Sequence, residues 1–173
     1  MIDRHHVRLM AAYNHWMNQK LYAACAGLTD QERKADKGAF FKSLHSTLNH
    51  ILWGDRAWMS RFTQTEYVMP PVDQDLYADF EELRREREAM DQMILDWSKT
   101  VSDTWLAAPT TWTSKLYKKT MTQPTWALVA HLFNHQTHHR GQITALLSQC
   151  GIDPGITDLP MLPELDFENF SGA

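Results

Sequence analysis

The segment "PTWALVAHLFNHQTHHRGQITALLSQCG", Pro124 to Gly151, reads as one long helix. Pro124 suits a first helical turn, and Leu128, Leu132, Ile143, Leu146 and Leu147 recur at helical spacing up to Cys150. Gly151 and Ile152 followed by Pro154 predict a left-handed terminus. The same segment carries four of the chain's nine histidines. At about 100° per residue, His135 and His139 fall in the middle of the apolar stripe that holds Leu128 and Leu146. His131 falls nearer its edge and His138 further off it, so only two of the four are expected to face the interior.

Working outward, three more helical runs precede it. Ile2 to about Gly27 is free of proline, with Ile2, Leu9, Tyr13, Trp16 and Ala23 roughly on one stripe before "GLTDQE" stops it. From about Lys42 to Phe62 the residues Leu44, Leu48, Ile51, Leu52, Trp53, Trp58 and Met59 are apolar on more than one face, and "MPP" at Met69 to Pro71 breaks the pattern. That helix is expected to be buried on two sides. Phe80, Leu83, Met90, Ile94, Trp97 and Val101 follow 3–4 spacing, with Arg87 at the remaining position and charges between them. Four such helices in one domain spanning 1–173, with a core over about 2–150 and a coil tail over 151–173, predict an all-α four-helix bundle. The stretch between Val101 and Pro124 is rich in threonine and aromatics, and an alternating piece around Trp112 to Met121 predicts an extended ribbon within a crossover connection.

Composition narrows the function classes. The chain of 173 residues is 43% hydrophobic, enough for a sizeable core. Its formal net charge of −4 lacks the positive field that drives phosphate-backbone binding, so nucleic acid is not expected as a partner. No apolar stretch approaches about 18 residues, and "MIDRHHVRLM" lacks an apolar leader core, so the expectation is a cytoplasmic protein without a membrane partner. Cys25 and Cys150 stand far apart and outside any Cys-x-x-Cys spacing, which predicts packed, reduced thiols.

The chemistry lies in His135 and His139. Histidines at i and i+4 stack over one helical turn, the spacing that lets both imidazoles reach one metal ion. Two imidazoles on a buried stripe otherwise each need a hydrogen-bond partner, at about 1–3 kcal/mol if left without one. A His-Glu-x-x-His peptidase is excluded because Gln136 follows His135 where a glutamate base is required. A di-iron carboxylate bundle is excluded because neither the second nor the fourth helix has a Glu-x-x-His pair. A mononuclear, histidine-rich site remains, suited to zinc and also to nickel, copper or iron. A third donor must come from another helix, and the second offers His45 and His50. His45 lies closer to the Leu48 stripe and His50 on the opposite face with Ser46, Gly54 and Ala57, and helical geometry leaves the choice open.

"LNHILWGDRAW" on the second helix and "HLFNHQTHHRGQ" on the fourth, together with "YNHWMNQKL" on the first, resemble the DinB (DNA-damage-inducible, YfiT-like) family of metal-dependent proteins. The resemblance covers most of residues 2–150. It implies an up-down-down-up order for the bundle, His50, His135 and His139 as metal ligands, and a homodimer. One divalent ion is implied, with zinc the leading candidate and nickel or another transition metal the alternatives. Relatives with such a site include thiol-dependent transferases and isomerases. The resemblance therefore implies a small-molecule substrate or thiol and a metal-dependent S-transfer, isomerisation or hydrolysis, against a non-catalytic stress-response protein whose metal is structural.

The remaining motif residues have structural readings. Gly54 and Gly141 each cost up to about 1 kcal/mol inside a helix, which predicts close helix approach at both. Arg140 points away from the ligand stripe and is expected in a surface or inter-helix ion pair. Asp55 is expected either as an acceptor for a ligand histidine or as a surface charge. Trp53 and Trp58 are expected in the core, and Asn14, Trp16 and Asn18 in amphipathic packing.

Overall fold

A computed structural model describes residues 1–114 and 118–163. The elements run α1 (Arg4–Ala26), α2 (Asp30–Lys34), α3 (Leu44–Thr63), α4 (Phe80–Thr100), α5 (Asp103–Ala107), β1 (Pro109–Ser114), β2 (Lys119–Pro124) and α6 (Thr125–Gln149), with a 3-10 turn at Leu159–Met161. The protein is thus mostly helical with one small hairpin. Side-chain caps decide where most helices begin: Asp3, Ser43, Asp79 and Ser102 each accept a hydrogen bond from the backbone N–H three residues on. Thr29 and Glu32 form a reciprocal capping box on α2, a short helix absent from the sequence reading. α6 ends as expected, with Gly151 at φ +74°, its N–H bonded to Ser148 O, and Ile152 N–H bonded to Leu147 O.

Each long helix packs on two others: α1 on α4 and α6, and α3 on α4 and α6. Side-chain pairs give the directions. Arg8 reaches Lys99 O near the start of α1, and Tyr22 stacks on Phe80 near its end, so α1 and α4 are antiparallel. Asp55 meets Arg87 and Phe62 stacks on Trp97, so α3 and α4 run the same way. His50 meets His139 and Trp58 meets His131, so α3 and α6 are antiparallel.

The expected stripe on α4 is buried throughout, Arg87 included. On α1 the stripe is rotated: Val7, Ala11, Met17, Leu21, Tyr22 and Cys25 are buried with Asn14 and Asn18, while Ala23 is exposed. Tyr13 is common to both stripes, and the rotation arises because the two asparagines turn inward to donate to Asp91. Trp53 and Trp58 are half-buried rather than core: Trp53 Nε1 donates to Pro70 O, and Trp58 packs against Phe62 and Trp112.

The crossover contains the expected ribbon. β1 and β2 pair antiparallel with Trp112 opposite Met121. The threonine-rich composition has a cause, since Thr111 bonds Thr122 and Thr113 bonds Thr120 across the strands. After α6 the chain turns back along α1, where Tyr13 Oη donates to Thr157 O and Leu162 is buried. The last part of the expected coil tail, residues 164–173, lies outside the described residues. Among the described residues no helix is long and apolar enough to cross a membrane.

Candidate metal centre

α3 and α6 bring His50, His135 and His139 together. One ring nitrogen from each lies within 4.8 Å of the other two, and His50 Nε2 stands 3.1 Å from His135 Nε2. The imidazole centroids are 4.5 to 5.0 Å apart. Of the two α3 histidines left open by the sequence, His50 is the one at this point. His45 is buried elsewhere, with Nε2 2.8 Å from Tyr77 O. His131 lies against Trp58 and His138 beside His139, both exposed and outside the three-nitrogen group.

Gly54 explains how the α6 histidine fits against α3. A Cβ at this position would stand 2.6 Å from His135 Cε1 and 3.0 Å from His135 Nδ1. The close approach expected there is real, but what approaches is an imidazole ring. At Gly141 the expectation fails: a Cβ there would meet nothing within 4 Å.

The electrostatics favour neutral imidazoles. Burial lowers the His50 pKa to about 4 and that of His135 to about 3, with the neighbouring histidines adding to both shifts. Burial also lowers that of His139. A neutral imidazole presents a lone pair, and three lone pairs meeting at one point suit a divalent ion of the nitrogen-accepting kind. Gln142, which the sequence reading passed over, fixes one of them. Its Oε1 lies 2.8 Å from His139 Nδ1, and an amide oxygen only accepts, so Nδ1 carries the proton and Nε2 keeps its lone pair. Its position three residues after His139 was the available signal. The Nδ1 atoms of His50 and His135 are buried without a partner among the described residues. Three imidazoles with ring nitrogens within 4.8 Å of one another form a donor set that fits a metal ion.

A second polar group includes residues next in sequence to the cluster. Asp55, next to Gly54, is fully buried and pairs with Arg87, whose Nη2 lies 2.9 Å from Asp91 Oδ1. Asn14 donates to Asp91 at 3.3 Å and accepts from Arg140. Arg140 Nη1 also donates to Gln136 Oε1 at 3.1 Å, and Gln136 Nε2 donates to Asp55 Oδ1 at 2.7 Å. The six side chains close a ring that touches all four long helices. Two expectations are corrected here. Asp55 is neither a surface charge nor a histidine's acceptor, because Arg87 and Gln136 occupy both its oxygens. Arg140 is buried and bonded to Asn14, Gln136 and Thr137 rather than held in an ion pair, because the face opposite the histidines packs on α1.

Known proteins resemble the chain in sequence and in fold. The family model described as DinB family matches residues 1–169. The chain is 27% identical over 162 residues to Protein DinB of Bacillus subtilis (strain 168), with 84% of this chain and 87% of that protein covered. The crystal structure of a DinB-like protein from Bacillus cereus ATCC 10987 superposes with a TM-score of 0.60 at 20% identity, covering 81% of this chain and 90% of that one. That last likeness carries the fold.

Proposed function

Since the chain belongs to the DinB family, we propose that His50, His135 and His139 hold one divalent metal ion, zinc first and nickel or another transition metal second, at which a small thiol is activated for S-transfer. The convergence of three ring nitrogens within 4.8 Å carries this reading. Such an ion, when bound, is a Lewis acid that acidifies a coordinated thiol or water. The protein's own part is to keep the imidazoles neutral by burial, to aim His139 Nε2 through Gln142, and to clear room for His135 at Gly54. In the transfer, the thiol S–H bond breaks, an S–C bond to an external electrophile forms as that carbon's bond to its leaving group breaks, and the proton and the leaving group pass to solvent. Among the described residues, the hydrogen bonds and ring contacts of the three histidines include no carboxylate or amine that would take it. The packing directions of the long helices support an up-down-down-up four-helix bundle, and the reading extends to a single cytoplasmic domain that acts as a homodimer on small molecules.

A second reading has its own observation: the donors come from two helices, His50 on α3 and His135 and His139 on α6, so an ion there would pin one to the other. Turnover of an electrophile such as an alkylating dye with a panel of low-molecular-weight thiols separates the two. The catalytic reading predicts a rate that appears on metal loading and disappears with chelator. No rate above the metal-free protein with any thiol, together with a large melting shift on chelation, would replace it with the structural one.

A further inference from the structure

Beside the histidine cluster the chain makes a tight turn just before α3. Gly38 and Lys42 have φ of +73° and +66°, and the turn is clasped by Lys37 N–H to Lys42 O and Lys42 N–H to Ala39 O, each 2.8 Å. Two adjacent phenylalanines ride on it. The Phe41 ring stacks on His50 at 3.8 Å between centroids, tilted by 21°, and presents an edge contact to His139 at 5.5 Å. It therefore touches imidazoles from both helices, and a ligand seated where the three nitrogens converge lies beside it. Phe40 packs edge-on against Phe41 at 4.8 Å and is itself 82% exposed. Among the described residues, the ring contacts around the three histidines are to Phe41, Trp53 and other histidines, and the further polar contact is the neutral Gln142 amide.

We propose that Phe40 and Phe41 are specificity-determining residues that seat the apolar arm of the ligand whose donor atom reaches the three-histidine cluster. The ligand class is a small thiol with an aromatic group close to sulfur. This rests on the metal-site reading and adds to it which thiols the site prefers. An uncharged aromatic wall offers nothing to the carboxylates or amines of a charged thiol, whereas a ring laid against Phe41 with its edge on Phe40 gains offset or edge-to-face contact and leaves water. The turn itself is clasped by backbone bonds, so the backbone that carries both rings is set before the ligand arrives.

The test uses the full chain loaded with cobalt(II), whose absorption changes when a thiolate binds, and two alkyl thiols, benzyl mercaptan and 2-mercaptoethanol. The wild-type protein is expected to bind benzyl mercaptan about tenfold more tightly, the effect of one well-placed aromatic contact. Phe40→Ala changes an exposed side chain and so leaves the fold intact; it is expected to shrink that ratio about threefold. Phe41→Ala is expected to shrink it further. A wild-type ratio near one, or a ratio unchanged in both variants, with cobalt bound stoichiometrically throughout, would overturn this inference alone. Failure of the wild-type protein to bind cobalt at all would overturn the metal reading and this inference with it.

Discussion

Two polar groups sit side by side in the interior and are built on opposite principles. The ring of Asn14, Asp55, Arg87, Asp91, Gln136 and Arg140 balances two guanidiniums against two carboxylates and joins them through amide groups that face both ways. The Asp91 and Asp55 carboxylates raise the pKa of Arg87 although burial opposes its charge. The three histidines are the reverse: three ring nitrogens lie within 4.8 Å of one another, and among the described residues no carboxylate or guanidinium is hydrogen-bonded to them. They are also sequence neighbours, since Gly54 and Asp55, His135 and Gln136, and His139 and Arg140 are consecutive pairs. Charges paired within the protein make the first group structural, whereas ring nitrogens gathered at one place make the second suited to a shared cation.

If that contrast is right, breaking the ring costs stability and breaking the cluster costs metal. Arg87→Met strands two buried carboxylates, and denaturant unfolding is expected to show a loss of about 3–5 kcal/mol. His135→Ala is expected to abolish metal binding while lowering the stability of the metal-free protein by only about 1–2 kcal/mol, since it removes one half-buried ring. The two helical glycines divide the same way. Gly54→Ala pushes a methyl into the His135 ring and is expected to weaken metal affinity about tenfold or more by calorimetric titration, with the fold retained. Gly141→Ala meets nothing, so it is expected to leave affinity unchanged and to gain about 0.5–1 kcal/mol of stability.

The metal-free cluster also makes itself felt in acid. The unfolded chain takes up imidazole protons below about pH 6.5, whereas the folded cluster resists them down to about 4 at His50 and about 3 at His135. The metal-free protein therefore loses stability as pH falls through that window, and His135→Ala flattens the slope. A slope unchanged in the variant would show that the cluster does not carry it.

The long helices, their approximate ends and the hairpin were legible because helical periodicity, breakers such as Gly151 and strand alternation are properties of short stretches. The two α6 histidines were legible for the same reason. His50 was not separable from His45 by geometry, because α3 buries residues on several faces and a helical wheel has no single inside there. Arg140 was misplaced by the same limitation: α6 packs on α1 as well as α3, so the side away from the histidines is also interior. Arg87 carried its own hint, a charge in register with six apolar residues, but its partners Asp55 and Asp91 come together only when α3 packs on α4. Phe41 had no signal at all, since it reaches the site from a turn.

The direct test is metal titration of untagged, metal-stripped protein, read by calorimetry and elemental analysis across single histidine variants. One ion per chain is expected in the wild-type protein and in His45→Ala, His131→Ala and His138→Ala, and none at stoichiometric level in His50→Ala, His135→Ala or His139→Ala. Full occupancy in any of the last three, or no binding in the wild type, would contradict the account.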